Sequence, residues 1–202
     1  MSLNTKEFAA ELLSKGGFRR LYVQGEIQLR VPELTEIEQY LHSPKYHPEG
    51  SLLEHYCRAF DTLIDILDGA RVDMATKHMA MWGLLFHDIG KPACAKLNEE
   101  TGFHSYIRHE SVGGDIFRDN YSVELVVQDE DPEIIEWIIR EHTNYWNIMK
   151  HGKSLAMANH PAFYLLSLVC QADKMGFDHE GLPSNEERLA HFAEVSLKGV
   201  GH

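Results

Sequence analysis

Residues 74–92, MATKHMAMWGLLFHDIGKP, decide how this chain folds. Ala80–Phe86 is apolar throughout, so the segment has no face suited to solvent and belongs at the centre of a domain. The reading is a central helix over Met74–Asp88. It meets Ile89-Gly90-Lys91-Pro92, where glycine suits a C-cap and proline forbids continuation. His87-Asp88 thus ends a buried helix, where an uncompensated polar pair is costly. An adjacent imidazole and carboxylate suit borderline and hard divalent ions, and a helix C-terminus tolerates a cation. A bare His-Asp dipeptide carries no such meaning; the apolar run before it and Ile-Gly-Lys-Pro after it do.

Helical patterning continues on both sides. Downstream of Ser51, a plausible N-cap with Glu54 three residues on, Leu52, Leu53, Tyr56, Ala59, Phe60, Leu63, Ile64 and Leu67 recur at helical spacing, and Gly69 is read as the end. Residues 5–15 form an amphipathic helix ended by Gly16-Gly17, and residues 18–31 a turn or brief helix. Pro32 opens a short helix over PELTEIEQYL, and residues 42–50 form a loop. Residues 105–118, Pro132–His142, Ala162–Lys174 and Ser184–Leu197 read as helices, the last with a capping box; residues 122–128 fit helix or strand. Few segments alternate with period two. The expectation is an all-α bundle of six to eight helices, one domain over residues 1–202 with its core at about 32–176.

Composition narrows the function classes. An apolar fraction of 44% and a charged fraction of 25% describe an ordinary globular chain. The net charge of −12 disfavours a duplex nucleic-acid surface, which is normally basic. Bound divalent cations can still reverse the local field for a small phosphate-bearing substrate. Cys57, Cys94 and Cys170 show no C-x-x-C spacing and suit buried free thiols in a reducing cytosol. The amphipathic start implies no signal peptide, and no apolar run is long enough to span a bilayer. A cytoplasmic protein without membrane contact is expected, its oligomeric state open.

Thirteen histidines direct attention to placement. His55 sits near the inward face of its helix, and Asp173 ends the apolar helix FYLLSLVCQADKMG. Singly these are ordinary core or C-terminal residues. Together with His87-Asp88 they put inward polar groups on three apolar helices, and one shared metal would satisfy them all. His109, in FHSYIRHESVGG, and His142, in IIREHTNYW, extend the set. Four histidines and two aspartates can hold two metals, with Asp88 bridging. His104, His47, Lys91 and Arg108 are candidates for substrate phosphate or acid–base work. Tyr46, Phe103, Tyr106, Tyr145 and Trp146 are candidates for stacking on a base.

The order His…His-Asp…Asp with the phrase HDIGK resembles the HD superfamily of metal-dependent phosphohydrolases. The stretches VPELTEIEQYLHSPKYHPEGSLLEHY, GLLFHDIGKP, FHSYIRHESVGG, REH and LVCQADKMG resemble the HD domain of bacterial tRNA nucleotidyltransferases, over about Pro32–Gly176. The resemblance implies an all-helical HD fold and metal ligation by His55, His87, Asp88 and Asp173, with His109 and His142 where two-metal members carry further ligands. It implies phosphodiesterase, phosphatase or nucleotidase chemistry on a nucleotide-like or other small phosphoester. One or two divalent ions are implied, drawn from Mn, Fe, Ni, Co, Mg and Zn. The assigned roles are Asp88, Lys91, His109 and His142 in catalysis, and Lys91, His104 and Arg108 in substrate binding. No nucleotidyltransferase element of the G-S-x-x-D-x-D type precedes residue 32, so CCA addition is not expected. Two rivals stand beside this reading. The same six residues resemble the di-iron HD oxygenases of small polyols or phosphonates, and a non-catalytic HD module would sense a nucleotide.

Overall fold

The computed structural model describes residues 6–44, 47–126, 130–151 and 155–175. In chain order the helices are α1 Lys6–Leu12, α2 Gly17–Val23, α3 Glu26–Arg30, α4 Leu52–Ala70, α5 Met74–Phe86 and α6 Lys91–Cys94. They continue as α7 His109–Asn120, α8 Ser122–Val126, α9 Pro132–His151, α10 Leu155–Ala158 and α11 Phe163–Met175. Seven of them have seven residues or more, and the only sheet among the described residues is one two-stranded hairpin. The all-α expectation holds. The helix expected over Ser184–Leu197 lies outside the described residues.

Helix α5 is the hub. Asp73 caps it by accepting the Thr76 amide at 2.8 Å, and every residue from Met79 to Phe86 is buried. Helices α4, α9 and α11 pack around it, and α7 lies along α9. Helices α1–α3 close one side. Phe18 of α2 stacks on Tyr56 and Phe60 of α4 at 5.0 Å between ring centroids in each case, and Phe8 of α1 meets Trp82 of α5 at 6.4 Å. Among the described residues no helix is long and apolar enough to cross a membrane.

Several local expectations are corrected. Pro92 does not simply stop a helix: it occupies the first turn of the new helix α6, where its missing N–H costs nothing. Gly90 is not a left-handed C-cap, since its φ is −78°. It is there for space, because an added Cβ would lie 2.2 Å from the His109 carbonyl oxygen and 2.6 Å from the Gly113 amide nitrogen. Gly69 lies inside α4, which runs to Ala70 with Arg71 in the left-handed conformation at its end. Ser51 does cap α4, accepting from the Glu54 amide at 3.2 Å, but the Glu54 carboxylate turns outward to Arg19 at 2.6 Å. The segment after Pro32 makes two separate 3-10 turns, 32–34 and 37–39, because Glu36 sits at φ 58° between them.

Residues 96–105, not anticipated as a sheet, form the hairpin of strands β1 Lys96–Asn98 and β2 Phe103–Ser105, with Leu97 opposite His104. Asn98 Oδ1 accepts the amides of Glu100 and Thr101 at 3.0 and 3.2 Å, and Gly102 supplies φ 71°. Asparagine and glycine together build the reversal. Helix α7 therefore begins at His109 rather than at residue 105, with Arg108 left-handed at φ 67° just before it. Cys57 and Cys170 are buried thiols, but Cys94 is half-buried.

The two glycines give opposite mutational expectations. Gly69→Ala adds a Cβ that meets nothing within 4 Å, and should stabilise the fold by about 0.5–1 kcal/mol through helix propensity. Gly90→Ala forces backbone apart and should cost about 3 kcal/mol. Denaturant unfolding of both variants checks the pair.

Candidate metal centre

His55, His87, Asp88, His142 and Asp173 are all at most 4% exposed, although they are polar or charged. They come from four different places. His55 stands in the first turns of α4, His87-Asp88 just after α5, His142 within α9 and Asp173 near the end of α11. His109, at the start of α7, is the one partly buried member of the six.

Hydrogen bonding fixes which nitrogen each imidazole presents. His87 Nδ1–H donates to Leu84 O at 2.7 Å, His109 Nδ1–H to Tyr106 O at 2.8 Å, and His142 Nδ1–H to Ile139 O at 2.7 Å. In all three the partner is the carbonyl three residues back, which can only accept. His55 Nδ1 faces the Glu49 carboxylate at 3.1 Å. With Nδ1 committed as donor, Nε2 of each neutral ring is a lone pair.

These Nε2 atoms converge on acceptors. His55 Nε2 lies 3.3 Å from His87 Nε2, 3.3 Å from Asp88 Oδ2 and 3.1 Å from Asp173 Oδ1. His87 Nε2 is 3.1 Å from Asp88 Oδ2 and 3.7 Å from Asp173 Oδ1. On the other side of Asp88, Oδ1 lies 3.2 Å from His109 Nε2 and 3.6 Å from His142 Nε2, which are 3.2 Å apart. Two donor sets therefore share Asp88, one through each carboxylate oxygen. Lone pairs held this close repel unless positive charge lies among them, and carbonyl-fixed histidines are the usual way to aim imidazoles at a metal. N/O donor sets of this kind fit a borderline divalent cation.

The protonation equilibria reflect the same need. Burial lowers the pKa of His55, but its hydrogen bonds to Asp173, Asp88 and Glu49 outweigh burial and carry it up to about 10. Burial raises the Asp88 carboxyl, yet His87, Lys91, His109 and His142 hold it well below the carboxylate range. Asp173 behaves likewise beside Lys174, His55 and His87.

Lys91, 6% exposed, places its ammonium 2.7 Å from Asp88 Oδ2 and over the Tyr106 ring at 5.4 Å. The other expected substrate contacts are placed elsewhere. His104 laces the hairpin to residue 41: its amide donates to Leu41 O at 2.8 Å and its ring Nδ1 accepts the Leu41 amide at 3.2 Å. Arg108 is exposed and is not brought into the cluster. Of the stacking candidates, Tyr145 is core, packed on Phe163 at 5.7 Å. Tyr46 and the Trp146 side chain lie outside the described residues. Two residues went unassigned in the sequence. Glu49 is buried and contacts Nδ1 of both His47, at 2.9 Å, and His55, at 3.1 Å. His42 is buried beside His47, with ring centroids 4.4 Å apart. The only sequence signal for Glu49 was its place in His-Pro-Glu-Gly; His42 had none.

A family model described as HD domain matches residues 52–186, two-thirds of the chain. The chain belongs to the HD domain family. Most HD domains are metal-dependent hydrolases, and all six clustered residues of this HD domain fall within the matched span. Comparisons with curated proteins and with solved structures returned no match.

A pH dependence follows with a definite sign. His55, with its raised pKa of about 10, keeps a proton through neutral pH that a cation must displace. Metal affinity should fall as pH is lowered from 8 to 6, and binding should release protons. Calorimetric titration with Co²⁺ in buffers of different ionisation enthalpy measures both; a pH-independent Kd contradicts the arrangement.

Proposed function

We propose that this HD domain is a metal-dependent phosphohydrolase acting on a nucleotide-like or other small phosphoester. One observation carries the reading: Asp88 divides its two oxygens between two histidine-rich donor sets while the buried Lys91 ammonium stands beside it. His55, His87, Asp88 and Asp173 would hold one cation, and Asp88, His109 and His142 a second. A cation pair there supplies Lewis-acid polarisation of a phosphoryl oxygen and a lowered pKa for water.

The chain's own groups do the rest. Asp88, wedged between the two sets, fixes the spacing of the site. Lys91 brings fixed positive charge to a water-poor place, where it acts on developing oxyanion charge far more strongly than in bulk water. It is a compact cation that suits non-bridging phosphate oxygens. His109, the most open of the six, marks the side from which substrate arrives. Its tautomer is set by Tyr106 O, so Nε2 is the atom available to hold a proton near the leaving oxygen when it is not a ligand. The substrate is small because the net charge of −12 opposes a long polyanion. A cytoplasmic setting belongs to the same proposal.

The experiment is a screen of nucleotides, cyclic nucleotides and phosphomonoesters with Mn²⁺, Co²⁺, Ni²⁺ and Mg²⁺, reading released phosphate. Asp88→Ala should abolish turnover, and Lys91→Met should lower kcat about 10²-fold, as loss of one preorganised charge does. An Asp88→Ala rate equal to wild type sinks the proposal. Iron at stoichiometric level with dioxygen consumption, and no phosphate release, would favour the oxygenase reading of the same six residues.

A further inference from the structure

Outside the Asp88 cluster, one more group of ligand-type side chains comes together. His42, His47 and Glu49 each offer one donor atom, all within 4.8 Å of one another. The loop that carries them is pinned at its base. Leu41 and Ser51 form a bridge, the His42 amide donates to Gly50 O at 2.7 Å, and the Leu52 amide donates to Tyr40 O at 3.0 Å.

The polar accounting of this group does not close. His42 is 1% exposed, and neither of its ring nitrogens has a hydrogen-bond partner among the described residues. Glu49 gives Oε1 to His47 and His55, but its buried Oε2 has no partner either. Each buried, unmet polar atom costs about 1–3 kcal/mol. Burial pushes the His42 pKa down, so the ring is neutral and has a lone pair to give. A buried imidazole and a buried carboxylate oxygen without hydrogen-bond partners among the described residues, beside a second imidazole, are the donors of a cation site.

We propose that His42, His47 and Glu49 form a third divalent-cation site, joined to the Asp88 cluster through the Glu49–His55 contact and the packing of His47 against the His55 ring, 5.2 Å between centroids. Two nitrogens and one oxygen select Zn²⁺, Co²⁺ or Ni²⁺ over Mg²⁺ or Ca²⁺, and three protein ligands leave a coordination position open. Glu49 thereby connects the two regions. The carboxylate that orients His55 is itself tied to the third site, so filling that site stiffens a ligand of the first. The proposal holds whether or not the chain is a hydrolase.

The test uses the full chain and Co²⁺ alone. Equilibrium dialysis should show that His42→Gln, which keeps polar atoms in place, binds one equivalent less than wild type. Asp88→Ala should lose the central equivalents and keep that one. Anomalous scattering from Co²⁺-soaked wild-type crystals provides a second reading, independent of how the variants fold. A peak among His42, His47 and Glu49 supports the site. Peaks at the Asp88 cluster with none at this group overturn the third site alone. A peak here with none at Asp88 supports it while contradicting the central metal centre. Equal stoichiometry in wild type and His42→Gln overturns it.

Discussion

Everything in this fold bends around one electrostatic problem: four imidazole nitrogens and two carboxylates face one another in a nearly dry interior. Each Nδ1 already has its acceptor, so the hydrogens that could reconcile these groups point away from the centre. Desolvating such a set costs several kcal/mol per charged group, and breaking one partner away leaves the others uncompensated. Positive charge at the centre resolves it: the proton that His55 keeps through neutral pH supplies part of it, and a bound divalent cation would displace that proton. Lys91 supplies a fixed part of that charge beside Asp88.

The helical scaffold makes the confrontation unavoidable. From Met79 to Phe86 helix α5 has no solvent face, so its end is delivered into the core, with His87 and Asp88 following it. Helices α4, α9 and α11 pack against α5 and bring His55, His142 and Asp173 to that end. Helix α7 arrives through the tight contact of Gly90 with the His109 carbonyl and Gly113. The same residue that lets the backbone pass thus sets the position of His109. Repeated use of the carbonyl three residues back aims three imidazoles without any further side chain. That device depends only on a helical turn preceding each histidine.

How far the sequence could be read follows from the same physics. Helices α4, α5, α9 and α11 are legible because burial imposes periodicity or wholesale apolarity, and α5 is nearly all core. The six clustered residues were nameable because polar groups on inward faces are rare enough to be noticed together. The misreadings arise where local propensity yields to tertiary contact. Gly90 reads as a cap but answers to α7. Pro92 reads as a stop but begins α6. The hairpin at 96–105 has only three-residue strands, too short for a period to show, and it rests on Asn98 and Gly102. His104 and Arg108 carry no burial signal in the sequence, and only the fold shows one lacing the hairpin and the other facing solvent, both outside the Asp88 cluster. His42 and Glu49 could not be singled out because their burial is a property of the loop's pinned base.

The central claim is that Asp88 joins two cation sites rather than completing one. Electron paramagnetic resonance of the Mn²⁺-loaded chain tests it most directly, since two Mn²⁺ ions sharing a carboxylate are exchange-coupled. The account expects a coupled-pair signal that His109→Ala reduces to an uncoupled one. Uncoupled signals alone from the fully loaded wild-type chain would contradict it.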